Sequence, residues 1–266
     1  MSTYLGFVFN AFQEKLVYRA NICFAFLQKI IIIVVQFSIW SALYASKNQI
    51  ATEVGDVGLN DMLQYAIIAN CLAIFLQGNL IDLINDKIKS GDIAIDLIRP
   101  MSFHLYLAAY MVGGILYNLI FQFVPIAAFI MLFFKISLPA WQNLALFCFS
   151  TVSSCLVYFL ICYIIGLLGF WFLEVWPFSK ILEMILKILS GIWIPIWFFP
   201  KALIEVSNYL PFKSIYYTPL SIYSGKLSLE SSLFGILQQS MWIVILWLVG
   251  RLVWKKSVKK LVIQGG

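Results

Sequence analysis

Six stretches of this 266-residue chain are long and apolar enough to cross a lipid bilayer, and no other feature limits its fold as much. They are Ile22–Tyr44, Met62–Ile81, Leu105–Phe134, Leu144–Leu173, Ile181–Phe199 and Leu233–Val253. A spanning helix needs about 20 mostly apolar residues, and in hydrocarbon the backbone must satisfy its own hydrogen bonds, which a helix does. Hydrophobic residues make up 62% of the chain and charged residues 11%, against about 45–50% and about 25% in a soluble domain. That leaves too little polar surface for a water-soluble fold, and too much apolar surface for disorder. No period of 20 to 50 residues repeats and no low-complexity linker divides the chain. The expected fold is therefore all-α integral membrane, one domain over residues 1–266. The third and fourth spans exceed the bilayer thickness and should tilt or kink, with Pro125 as the kink site in the third.

The net charge of +6 fits a membrane surface better than a nucleic acid, because anionic lipid attracts Lys and Arg. With the N-terminus inside, the inner segments hold Lys15, Arg19, Lys87, Lys89, Arg99, Lys180, Arg251, Lys255, Lys256, Lys259 and Lys260. The outer ones hold Lys47, Lys135, Lys201, Lys213 and Lys226. That asymmetry places both termini in the cytoplasm of a multi-pass protein of the cytoplasmic membrane.

Three segments between spans carry their own patterns. In residues 1–21, Leu5, Val8, Phe9, Phe12 and Leu16 follow helical spacing while Asn10, Gln13 and Glu14 take another face. This predicts an amphipathic helix in the inner interface, either a simple anchor or a cuff leading into the first span. Between spans two and three, Gly91 permits a break and Pro100 ends the short helix after it. Within that helix, Asp92, Asp96 and Arg99 form a polar stripe beside an apolar pair, Ile93 and Leu97. The pattern describes a short stiff rod along the membrane, either a solvated connector or a charged face offered to a cytoplasmic partner. The outer segment 200–232 is long yet apolar, with Leu210, Pro211, Phe212, Tyr217, Pro219, Tyr223 and Gly225 among its residues. It reads as a re-entrant hairpin dipping into the outer leaflet, the alternative being a plain aromatic belt.

Reactive chemistry is sparse. His104 is the single histidine, and there is no HExxH, no GxSxG and no paired acidic motif for Mg²⁺. The five cysteines sit in apolar surroundings without ligand spacing, so neither a catalytic nor a metal site is expected. Lys226 follows Gly225, but Leu227 stands where a P-loop needs Ser or Thr, so this chain does not bind ATP by that route. No Asp or Glu lies mid-span, which weighs against ion-coupled transport. Uncharged polar residues do dot the spans. Gln64, Asn70, Asn118 and Gln122 are candidates for lining a path, against the default role of interhelical hydrogen bonding.

Two stretches, Ile88 to Pro100 and Leu210 to Lys226, together with the six-span layout, resemble ABC-2 type permeases, the compact permeases of daunorubicin and multidrug exporters. The resemblance implies six transmembrane helices with an N-terminal amphipathic helix, a cytoplasmic coupling helix and an outer re-entrant hairpin. It implies that Gly91, Asp92, Ile93, Asp96, Leu97, Arg99 and Pro100 form the coupling helix, seated in a cleft of a separate ATPase. It further implies two ATPase subunits holding ATP and Mg²⁺, no cofactor in this chain, and a second permease chain, identical or related. The cargo would be an amphiphile such as a drug, peptide or lipid, moved outward. Two other readings stand beside it: a membrane-embedded enzyme or assembly factor for lipid or polysaccharide, and an importer subunit. The importer is disfavoured by the missing EAA-type loop.

Overall fold

A computed structural model describes residues 2–17, 19–46, 49–52, 55–98, 101–134 and 138–264. The helices are α1 (Ser2–Leu16), α2 (Arg19–Leu43), α3 (Leu59–Phe75), α4 (Leu80–Lys89), α5 (Asp92–Ile98), α6 (Phe103–Asn118), α7 (Val124–Phe133), α8 (Trp141–Leu167), α9 (Trp176–Leu189), α10 (Lys201–Asn208), α11 (Tyr217–Tyr223) and α12 (Leu229–Gln264). Strands β1 (Gln49–Thr52) and β2 (Gly55–Gly58) pair antiparallel, Gln49 opposite Gly58.

Among the described residues, five helical stretches are long and apolar enough to span: Ile22–Leu43, Leu59–Lys89, Phe103–Phe133, Trp141–Phe170 and Leu229–Lys260. At about 1.5 Å per residue, the last four reach about 45 Å or more, the thickness of a bilayer with its headgroups. The remaining sequence-predicted span, Ile181–Phe199, differs. Its helical part is α9, 14 residues long. Gly191 then takes a positive φ of 82° and Pro195 leads into a single 3₁₀ turn, Ile196–Phe198. A left-handed glycine and a proline four residues on prevent the helix from continuing.

Two spans are interrupted at the same level. The second breaks between α3 and α4, where Gln77, Gly78 and Asn79 leave helical geometry. The third widens at Leu119–Phe123 into a π-helical turn, in which Val124 N–H donates to the Leu119 carbonyl. The cause is Pro125, which has no N–H for the Phe121 carbonyl and whose ring crowds it, so the predicted kink takes the form of a π turn. Phe75 and Phe123 meet across the two interruptions, ring centroids 5.2 Å apart.

α3, α4, α8 and α11 supply most of the large apolar core, with α2 and α12 on its flanks. Of the most apolar window, 61% is buried in α3–α4 and 56% in α8, but only 17% in each of α2 and α12. The outer helices therefore present apolar faces to lipid or to another subunit. One end of the bundle is basic: Phe103 stacks on Trp254 at 4.9 Å, Lys260 lies over Trp171, and Lys89 pairs with Glu174 at 2.7 Å. The opposite end carries the β-hairpin, tied down by Tyr44 Oη donating to the Val57 carbonyl and by the Lys226–Asp61 ion pair at 2.7 Å.

α1 is the predicted N-terminal helix, but it takes a different course. Contacts advance together along α1 and α6: Ser102 N–H donates to Tyr4 Oη, Phe7 meets Tyr106 edge-on, and Phe12 meets Tyr117. The helix thus runs alongside α6 in the same direction. Close approach comes from Gly113, where a Cβ would stand 2.3 Å from the Val8 carbonyl oxygen. The predicted apolar stripe is split by this packing, with Ala11 buried on the α6 side and Leu5 and Phe9 facing outward.

Candidate functional site

Three features bear on function: the α4–α5 rod at the basic end, the apolar hairpin at the opposite end, and a polar cavity between them. In the rod, Ser90 caps α4, accepting from Asp92 N–H at 3.3 Å and donating to Asp92 Oδ2 at 2.8 Å. Gly91 turns the chain with φ +79°. The orientation of α5 departs from the sequence expectation. Ile93 is fully buried and Asp96 is 3% exposed, with Asp96 Oδ2 taking the Lys87 ammonium at 2.7 Å. Ile93 and Asp96 therefore lock α5 onto α4 and are not available to a partner. The outward face is formed by Asp92, Ile95 and Ile98, Ile98 being 85% exposed. Leu97 is half-buried. Arg99 and Pro100 lie outside the described residues, as do Lys47 and Lys135.

The apolar segment after α9 folds inward from the β-hairpin end. Pro211, Tyr217, Pro219 and Tyr223 are buried, Leu210 and Phe212 half-buried, and Gly225 closes the return with φ +66°. Its tip is held by Gln239 of α12, itself fully buried. Gln239 Nε2 donates to the Ser214 carbonyl at 2.8 Å and to Ser154 Oγ at 3.1 Å, while Ser150 Oγ donates to Gln239 Oε1 at 3.0 Å. Gln239 lies ten residues along α12 from Leu229, so the tip sits about 15 Å inside the bundle by helix rise. Burial and these hydrogen bonds put the segment inside the bundle, against α8 and α12. Near the tip, Tyr217 N–H donates to the Ser190 carbonyl at 2.9 Å and Tyr65 Oη donates to the Gly191 carbonyl at 2.7 Å.

The four polar span residues separate into different roles. Asn70 is consumed by packing: its amide donates to Gln36 Oε1 at 2.6 Å and to the Ala66 carbonyl at 2.9 Å. Gln64 hydrogen-bonds Tyr223 of the hairpin. Asn118 and Gln122, one turn apart at the π turn, border a cavity of about 440 Å³. Asn118 Nδ2 donates to the Ile74 and Gln77 carbonyls at 2.9 and 3.3 Å, satisfying acceptors freed where α3 ends. Gln122 Nε2 donates to Asn118 Oδ1 at 3.2 Å.

The rest of the cavity wall is not foreseen by the sequence reading: Glu14 and Lys15 of α1, Gln77–Asn79 of the break, and Tyr110 of α6. A polar Gln-Gly-Asn triplet at the end of an apolar run is the available signal for the break. The spacing of α1 against α6 has no counterpart in the sequence. Glu14 accepts from the Tyr110 hydroxyl. Lys15 is held over the Tyr117 ring at 5.7 Å, and burial pushes its ammonium below the usual lysine range, with Glu14 opposing the shift.

Residues 23–265 match a family model described as ABC-2 family transporter protein. No curated protein matches the chain.

Proposed function

Since the chain belongs to the ABC-2 transporter family and is a multi-pass membrane permease of that kind, we propose that it is the transmembrane subunit of an ATP-driven exporter of amphiphiles. In this reading ATP is hydrolysed on two separate ATPase subunits docked at the basic end. That end faces the cytoplasm under the positive-inside rule, and α1 begins and α12 ends on that side. A second permease chain, identical or related, completes the pathway, and the apolar faces of α2 and α12 are the surfaces suited to it.

One observation carries the proposal: the α4–α5 rod is a stiff lever with an apolar tip. Burial of Ile93 and the Lys87–Asp96 pair fasten α5 to α4, which continues the second span. Ile95 and Ile98, 53% and 85% exposed, face outward from the lever. An exposed pair of isoleucines beside Asp92 suits a cleft with an apolar floor and a polar rim. A push on this tip moves the second span, and with it the break at Gln77–Asn79.

The test is the double variant Ile95→Asp/Ile98→Asp, co-expressed with the ATPase encoded nearest to it. Both side chains are exposed, so the permease should fold as before, within about 0.5 kcal/mol, while ATPase co-purification and cargo-stimulated hydrolysis are lost. Retention of both activities would remove the rod from coupling, and cargo turnover by the purified permease alone would remove the ATPase altogether.

A further inference from the structure

The cavity beside the α3–α4 break is lined by two charges of opposite sign, Glu14 and Lys15 of α1. Lys15 forms no ion pair among the described residues, and its described contact is with the face of Tyr117. Its Nζ would stand 3.0 Å from a Cβ on Gly114, so the ammonium lies flat on α6, eleven residues from Phe103. By helix rise that is about 16 Å along α6 from its first residue. A half-buried ammonium without a described ion pair can take an anionic group as a second partner beside Glu14.

Two independent features of the same cavity also favour an anion. The N-terminus of α4 opens onto it at Asn79 without a side-chain cap, leaving first-turn N–H groups directed there with the positive end of the helix dipole. The polar wall Gln77, Gly78 and Asn79 is exposed to the cavity and supplies further donors. Gln122, at the inner wall, is 8% exposed and its Oε1 has no hydrogen-bond partner. Such an orphaned acceptor suits a donor brought by a ligand. Glu14, on the rim, is exposed and suits a cationic group held beside the anion. Apolar Ala25, Leu80 and Met111 complete the lining, as acyl chains would require.

We propose that this cavity binds the phosphodiester headgroup of a zwitterionic phospholipid or of an amphiphile built like one. Lys15 and the α4 N-terminus hold the phosphate, Glu14 holds the amine, and Gln122 Oε1 accepts a hydrogen bond from the headgroup. The inference deepens the transport reading by naming a cargo class, but headgroup binding requires neither ATPase nor transport.

The experiment is native mass spectrometry of the delipidated full chain, without nucleotide or partner, titrated with short-chain phosphatidylethanolamine. Lys15→Gln should weaken binding about tenfold, the loss of one charge-assisted hydrogen bond. Lys15→Arg should retain binding, and Lys256→Gln, on the basic tail of α12, should leave it unchanged. Asn79→Ala provides a second variant away from the α1–α6 contact, with a loss of about threefold expected from the weakened polar wall. The proposal is overturned if both cavity variants bind as the unmodified chain does, or if Lys256→Gln weakens binding as much as Lys15→Gln. Displacement of the lipid by millimolar inorganic phosphate would assign the site to a water-soluble anion and overturn the lipid. A failure of ATPase coupling in the rod variants would leave this binding result untouched, so the two readings fail separately.

Discussion

Replacing Gln239 by Leu should loosen the contact between α8 and α12 and, to a lesser degree, the tip of the inward-folded segment at Ser214. The side chain is fully buried and joins α12 to α8 and to the hairpin tip through four hydrogen bonds. Leucine fills similar volume, so the cost comes from polar groups. Ser150 Oγ loses the Gln239 acceptor, and a buried hydroxyl left unpaired costs about 1–3 kcal/mol. The Ser214 carbonyl loses one of two donors but keeps Ser154 Oγ at 3.0 Å, and a shared acceptor of this kind contributes about 0.6 kcal/mol in a membrane setting. The sum is about 2–3 kcal/mol, most of it on the α8–α12 contact, where Gln239 meets Ser150 and Ser154; a single bond reaches the tip. Hydrogen exchange measured by mass spectrometry on protein in nanodiscs reads this directly. Amides of α8 and α12 around Ser150 and Gln239 should exchange about 30- to 100-fold faster, since each 1.4 kcal/mol is a factor of ten, while those of residues 210–216 rise only about threefold, as a loss of about 0.6 kcal/mol implies. The double variant Gln239→Leu/Ser150→Ala removes the orphaned hydroxyl and should recover a large part of the protection. Unchanged exchange in α8 and α12 of Gln239→Leu, or acceleration confined to residues 210–216, would show that the network does not hold these two helices together.

Two further substitutions test close backbone approaches. Gly113→Ala puts a methyl group 2.3 Å from the Val8 carbonyl and 2.8 Å from Ala11 Cβ; a fixed backbone on both sides forces α1 away from α6, with a loss of about 2 kcal/mol or more expected. Faster proteolysis within residues 2–17 of detergent-solubilised protein checks it, and wild-type resistance would refute the lengthwise packing. Gly191→Ala meets a positive φ of 82° and neighbours at 3.2 Å, Tyr217 Cβ and Tyr65 Oη. Backbone strain of about 1–2 kcal/mol plus the contact should lower the unfolding midpoint in a denaturant titration, whereas Gly6→Ala, with open space around it, should not.

Much of this protein is determined by local sequence. Apolar length marks the five long spans, since a buried backbone in lipid has few alternatives to helix, but it marks Ile181–Phe199 equally, where Gly191 and Pro195 stop the helix. Gly91 and Pro125 announce a break and a distortion because their effects act on neighbouring residues and need no tertiary partner. Asn118 and Gln122 share a face for the same reason, four residues being about one turn. Local pattern shows that a helix has two faces but not what each will meet. On α5 the charged and apolar stripes are both visible, yet Lys87, nine residues upstream, decides that Asp96 turns inward, and the outward tip is left to Ile95 and Ile98. Similarly, α1 is legible as amphipathic, but its course along α6 depends on a glycine more than 100 residues away admitting its backbone. The cavity is the extreme case. Lys15, Asn79 and Gln122 share no spacing, and only the packing of α1, the α3–α4 break and the π turn beside Pro125 brings them to one place. Such contacts join distant parts of the chain, and hydrophobic periodicity carries no information about them.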